Sequence, residues 1–286
     1  MLRSSTLQLL RFHFSFFLMP VYWFALSQVP DINKFDAIIV FVILHLFIYP
    51  SSNGYNSYMD KDTGSIGGLK DPKQPTIQLF HASIVLDLGA LIMSMFISMY
   101  FFAGILIYIA ASRAYSYRGI RLKKYPVAGY LTVIICQGAL VFFLVMHGSS
   151  GSKTVLIPVI GMIGAALLVG GFYPLTQIYQ HQQDKLDGVT TLSYKLGYIG
   201  TFIFTAIIYL LAMCIIGYCL YLQNKLFHFF IMQIFLAPVL VYFGWWFYQV
   251  YRDQQKADFK NTMLMNLIAS FFTNAAFIYL LVIPKH

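Results

Sequence analysis

Ser51-Ser52-Asn53-Gly54-Tyr55-Asn56-Ser57-Tyr58-Met59-Asp60-Lys61-Asp62 closes a long apolar run and decides how the rest of the chain is read. A helix continued through it places Asn53, Asn56 and Asp60 at i, i+3 and i+7, so two carboxamides and a carboxylate share one face. Gln177 to Gly188 repeats the device after another apolar run, with Gln180 and Asp184 four residues apart and Asp187 about one turn on. Polar stripes at the ends of apolar helices are costly in a membrane unless they bind something.

Composition agrees with a membrane setting. Of 286 residues 59% are apolar and 10% charged, which excludes a soluble globule with an ordinary charged surface. The chain has no glutamate, and five of its ten acidic residues (Asp60, Asp62, Asp71, Asp184, Asp187) fall in or just after the two polar stretches. Apolar segments of about 20 residues predict spans at 7–27, 35–57, 77–96, 98–114, 126–147, 154–178, 198–221, 227–250 and 263–283. The expected fold is therefore all-α: a polytopic membrane protein, a bundle of nine transmembrane helices forming one domain over residues 1–286. The third and fourth spans are the least clearly divided, since Leu79 to Ala111 is almost continuously apolar.

Nine spans put fifteen of the nineteen lysines and arginines on one side and leave Lys34, Lys153, Lys225 and Lys285 on the other. By the positive-inside rule the N-terminus and both aspartate stretches are expected in the cytoplasm, and the bacterial inner membrane is the expected location. The same rule accounts for the net charge of +9 without a nucleic-acid partner. The first run, Leu7 to Leu26, is long enough to span and is expected to be a retained helix. Cys136, Cys214 and Cys219 lie in apolar runs without CxxC spacing and are read as packing residues.

Two carboxylate-bearing helix ends opening to one side, with basic residues nearby, suit a divalent cation bridging to a phosphate-rich ligand. Hard oxygen ligands select Mg²⁺, which keeps waters and uses one or two carboxylates plus substrate phosphates. The basic loop from Arg113 to Lys124 is either a supply of positive charge for that ligand or an orientation signal on a solvated loop.

The same residues resemble a family, the UbiA-type intramembrane prenyltransferases, whose known members are nine-helix bundles. Asn56 and Asp60 match the asparagine and first aspartate of the family's NDxxDxxxD motif. Asp71-Pro72-Lys73-Gln74-Pro75 is similar to its Pro-x-Arg-Pro segment. Tyr115-Ser116 through Arg121-Leu122-Lys123-Lys124-Tyr125-Pro126 to Gly129 is similar to its YS...RLKK.P..G stretch. Gln180-x-x-x-Asp184, Gly188, Thr191-Leu192 and Leu196-Gly197 resemble the second motif, DxxxD followed by G..TL...LG. Three positions depart: Ser57 for the aspartate after the asparagine, Gly64 for the second carboxylate of the first motif, and Gln180 for the first of the second.

The resemblance implies Mg²⁺-dependent transfer of a polyprenyl group from a polyprenyl diphosphate to a small hydrophobic, often aromatic, acceptor. It implies Asp60 and Asp184 as the catalytic pair, with Asn56 and Gln180 beside them at the metal and Asp62 and Asp187 as compensating carboxylates. Asn53, Asn56, Tyr117, Arg118, Arg121, Lys123 and Gln180 are the implied substrate-binding residues. The rival expectation is a catalytically silent relative or a membrane transporter, motivated by the missing carboxylates. Elsewhere, Asp87 at mid-span is expected to face the bundle, with Arg113 a conceivable partner. His45 and His81 read as packing histidines. His181 reads as a structural group or a neighbour of the site.

Overall fold

The computed structural model describes residues 3–61 and 63–283. Among them nine helices are long and apolar enough to cross a membrane: α1 (Ser4–Ser27), α2 (Lys34–Asp60), α3 (Ile77–Met95), α4 (Met99–Ser116), α5 (Pro126–Ser149), α6 (Val159–Leu186), α7 (Leu192–Leu222), α8 (Leu226–Arg252) and α9 (Phe259–Val282). Every expected span has its helix. The weakest division, between α3 and α4, falls at Phe96–Ser98, and Ser98 supplies the signal: its hydroxyl accepts from the Phe101 amide and caps α4.

The helices are interrupted around the polar ends. Arg11 takes a left-handed conformation (φ 49°) inside α1, with a 3₁₀ segment, Phe12–Leu18, after it. π turns occupy Ile43–Ile48 in α2 and Ile134–Leu140 in α5, the kind of irregularity that recurs at functional sites. α6 is regular only to Leu175, one residue past Pro174, and resumes through a 3₁₀ turn at Ile178–Gln180 and a short helix at His181–Leu186. Gln180 and Asp184 therefore do not share an unbroken helical face, which corrects the sequence reading. The seventh span begins earlier than expected: α7 runs from Leu192 but loses helical geometry at Gly197 (φ 69°).

Phe24 fills the centre of the bundle, stacked on Phe277 at 5.0 Å and 5.2 Å from the Phe142 ring. α5 and α6 approach closely at Gly138, where a Cβ would lie 2.5 Å from the Cα of Ala166. Trp246 is fully buried and donates from Nε1 to the Lys256 carbonyl at 2.8 Å, while Trp245 faces outward. The cysteines are not all packing residues: Cys219 is buried, Cys214 is exposed and Cys136 lines a cavity. At the end of the bundle away from the polar stretches, Ser150 Oγ (2.7 Å) and the Ser152 amide (2.8 Å) donate to Asp31 and hold its carboxyl below the usual range.

Asp87 faces inward, as a mid-span carboxylate must. It pairs with Arg113 of α4 and accepts from Ser51 Oγ of α2 at 2.6 Å. The guanidinium also lies 4.0 Å from the Tyr55 ring centroid. This knot ties three helices just behind the polar end of α2. His45 is a packing group, bonded to the Phe41 carbonyl at 3.1 Å and stacked on the Phe41 ring. His181 bonds Ser193 Oγ at 2.8 Å and stacks on Tyr198, and His81 is exposed.

Breaking a buried pair from one side strands a charge, at a cost of about 3–5 kcal/mol, whereas apolar replacement of both partners is far milder. Asp87→Leu should therefore lower the unfolding midpoint in detergent much more than Asp87→Leu with Arg113→Met. Thermal unfolding followed by circular dichroism checks the order.

Candidate active site

The polar ends of α2 and α6 enclose a cavity of about 440 Å³. Asn53, Asn56 and Asp60 line it from α2, and Gln180, Asp184 and Asp187 from the second polar stretch, so the two stretches that carry the aspartates do meet. The helix of α2 runs unbroken from Tyr49 to Asp60, which gives the i, i+3, i+7 stripe its common face, and ends at Lys61 in a left-handed cap.

Charge organises the opening. Asp60 is buried and forms an ion pair with Lys123; its Oδ1 has no hydrogen-bond partner and sits 3.8 Å from the Arg121 guanidinium. Arg121 pairs with Asp187 and donates to the Asp187 carbonyl at 3.0 Å. Arg118 binds the carbonyls of Met59 (2.7 Å) and Asp60 (3.3 Å) and lies 3.7 Å from Asp187. The basic loop is thus a clamp joining the two acidic ends, and Gly129 permits it: a Cβ there would lie 3.0 Å from the Cα of Lys123. Of these basic residues, Lys123 lines the cavity itself, whereas Arg118 and Arg121 stand behind the carboxylates.

Asn56 Oδ1 accepts from Ser116 Oγ at 2.8 Å. Asn53 Nδ2 is buried without a hydrogen-bond partner, as is Gln177 Oε1. Unpaired polar atoms on a cavity wall mark where a polar ligand would make up the deficit. Tyr117 is not brought to this wall: it follows the last turn of α4, in extended backbone, and is half exposed. Tyr115 takes the place expected of it, its hydroxyl bonded to that of Tyr173, which accepts from Gln177 Nε2 at 3.0 Å. Asp62 lies outside the described residues.

The two departures at Gly64 and Gln180 are coupled in space. A Cβ on Gly64 would lie 2.5 Å from Gln183 Oε1, so the Gln183 side chain fills the room a longer residue at 64 would need. Gln180 donates from Nε2 to the Ser65 carbonyl at 3.0 Å. Two glutamines of the second stretch therefore rest on the loop after the first.

Sequence reasoning missed Arg11, which lines the cavity and donates to the carbonyls of Gly67 (3.1 Å) and Asn53 (3.3 Å). A charged residue inside an apolar run was its signal. Tyr108, Tyr173 and Gln177 were also missed as wall residues; Gln177 opens the second polar stretch, whereas nothing in the local sequence sets the two tyrosines apart.

Among the described residues no group of three or more histidine, cysteine, aspartate or glutamate side chains forms a metal site. Two or three carboxylates among carboxamides fit an ion that completes its shell with water and ligand phosphate, which is how Mg²⁺ is usually held.

Comparison with solved structures places the fold. A UbiA homologue from Archaeoglobus fulgidus bound to DMAPP and Mg²⁺ has a TM-score of 0.71 at 18% identity, covering 98% of this chain and 100% of that one. An apo UbiA homologue from Aeropyrum pernix K1 has a TM-score of 0.68 at 16% identity, covering 93% and 97%. A structure of digeranylgeranylglyceryl phosphate synthase has a TM-score of 0.63 at 19% identity, covering 98% of each chain. These identities establish a shared architecture alone. No curated protein matches significantly by sequence. The family model of the UbiA prenyltransferases matches residues 15–268, which takes in both polar stretches and the basic clamp between them, and the chain belongs to that family.

Proposed function

We propose that the cavity binds a polyprenyl diphosphate with Mg²⁺ and transfers the prenyl group to a hydrophobic acceptor within the membrane. The observation that carries this reading is the meeting of Asp60, Asp184, Asp187 and Lys123 around one cavity, with Arg121 paired to the carboxylates from behind. Relatives of the same architecture hold DMAPP with Mg²⁺ and GPP with Mg²⁺. Here Asp60 and Asp184, with Asn56 and Gln180 as carboxamide ligands, would hold the ion, whose chemistry is to neutralise the diphosphate.

The chain's own residues supply the rest. Diphosphate binding draws Lys123 and Arg121 from their carboxylate partners to phosphate oxygens, so the cations that balance Asp60 before binding balance the leaving group afterwards. Asn53 Nδ2 gains an acceptor. Breaking the C–O bond leaves the bonding pair on the diphosphate and an allylic cation behind it. The acceptor's nucleophilic atom forms the new bond to that carbon, and its proton passes to the released diphosphate or to water. Tyr108, Tyr115 and Tyr173 line the cavity, where their ring faces would favour a passing cation. The charge asymmetry of the two bundle ends supports a cytoplasmic opening and a cytoplasmic N-terminus.

Asp60 is neutralised by Lys123 and Arg121, which favours a second reading, a silent relative that keeps the fold. Donor binding is the first requirement of the enzyme reading. Purified protein should bind farnesyl thiodiphosphate only with Mg²⁺, and Asp60→Asn and Asp184→Asn should each weaken it by about ten-fold or more, roughly 1.4 kcal/mol. Absence of binding to the folded wild type favours the silent relative.

The packing at Gly64 yields a further expectation. Gly64→Asp should fold at little cost in stability, since the flexible end of Gln183 can move aside, and it should carry an added carboxylate and tighten Mg²⁺, read as a lower Mg²⁺ midpoint for donor-analogue binding.

A further inference from the structure

A second cavity, about 490 Å³, lies at the same end of the bundle, on the other side of a wall made by the end of α6 and the loop after α2. Gln183 lines both cavities. Gln180 and Asp184 face the first, and Ser65 and Gln182 face the second. Within this wall Gln180 Nε2 donates to the Ser65 carbonyl at 3.0 Å. A backbone carbonyl only accepts, so the contact fixes the carboxamide: its NH₂ end belongs to Ser65 and its Oε1 remains for an ion in the first cavity.

The two sides of that bond are held differently. The loop after α2 is fastened along α1, where Arg11 donates to the Gly67 carbonyl at 3.1 Å, His13 Nε2 bonds the Gly68 carbonyl at 3.1 Å, and Gln8 Oε1 accepts from the Lys73 amide at 2.9 Å. The Gly68 amide also donates to Met263 Sδ of α9 at 3.3 Å. The end of α6 is a short piece between two breaks. Regular helix stops at Leu175, and Gly188 turns the chain with φ 68°. This piece is tied to α7 through His181 and Ser193, to the basic loop through Asp187 and Arg121, and to the loop after α2 through Gln180.

Gln180 stands where the second motif of the family has a carboxylate. A carboxylate has no proton to give the Ser65 carbonyl, and it would face Asp60 and Asp184 as a like charge until a cation came between them. A carboxamide closes the same wall without one. We propose that Gln180 is a positioning residue: it latches the end of α6 to the loop after α2 with no ion present, and so holds Asp184 across the cavity from Asp60 before metal or ligand arrives. The inference concerns the protein ahead of any reaction and does not rest on prenyl transfer.

The test is backbone hydrogen exchange, read by mass spectrometry on peptides covering residues 64–70 and 178–188, which follows local opening directly. Full-length protein in nanodiscs is compared in EDTA and in Mg²⁺, with no donor added. Wild-type exchange should be the same in both. Gln180→Leu should exchange about five-fold faster in both, the worth of one net hydrogen bond. Gln180→Asp should exchange at least as fast as the Leu variant in EDTA and return to the wild-type rate in Mg²⁺, a recovery that a purely structural role would not give. Gln182→Ala, at the exposed neighbouring position, should leave exchange unaltered. Wild-type exchange that Mg²⁺ slows as much as it slows the Asp variant would overturn the proposal. So would wild-type rates in both Gln180 variants, or an Asp variant that Mg²⁺ does not slow. Farnesyl thiodiphosphate binding, measured on the same samples, judges the prenyl-transfer reading separately.

Discussion

A carboxylate at the polar end of a membrane bundle must be balanced, and the pairing of Asp60 with Lys123 and Arg121 is the constraint on which this protein depends. It draws the loop between α4 and α5 across the end of α2. Arg121 and Arg118 extend the same loop to Asp187, which fixes the end of α6 opposite. One charge balance therefore sets the distance between the two acidic stretches and the cavity they bound. The Asp87–Arg113 pair behind it serves a different purpose, locking α3 and α4 to α2 at Ser51 so that the stripe ahead of it keeps its direction.

The same balance explains how the chain accommodates fewer motif carboxylates than its family pattern. Where Gly64 withholds a side chain, Gln183 occupies the room, and where Gln180 replaces an aspartate, its carboxamide holds the Ser65 carbonyl. Neutral contacts between the loop after α2 and the end of α6 stand where the family pattern has carboxylates, and the basic clamp joins the same two ends beside them.

Much of this was legible in the residues. Apolar runs of bilayer length located the nine spans, and the i, i+3, i+7 spacing placed Asn53, Asn56 and Asp60 on one wall because α2 stays helical to its last residue. The same reasoning misjudged Gln180 and Asp184, since Pro174 ends the regular helix and a 3₁₀ turn reorients the short helix beyond it. Tyr117 was read as substrate-binding, but Tyr115 lines the cavity and Tyr117 is half exposed: the helix end falls between them, and a shift of a residue or two there is enough to turn a side chain from the cavity to the surface. The Gln183 contact with Gly64 and the bonds from Arg11 to Gly67 and Asn53 depend on pairings distant in sequence. Within an apolar span such residues look like ordinary helix polarity until the neighbouring helices are in place.

The central claim is turnover at a site reduced to this charge balance. Its most direct test is continuous measurement of inorganic diphosphate released from geranylgeranyl diphosphate by purified protein in nanodiscs, with a panel of small aromatic acceptors supplied. The account predicts release that requires Mg²⁺, stops on chelation and is matched mole for mole by prenylated acceptor. Donor that binds with Mg²⁺ and remains intact would contradict it and leave a family fold that holds its ligand without reacting.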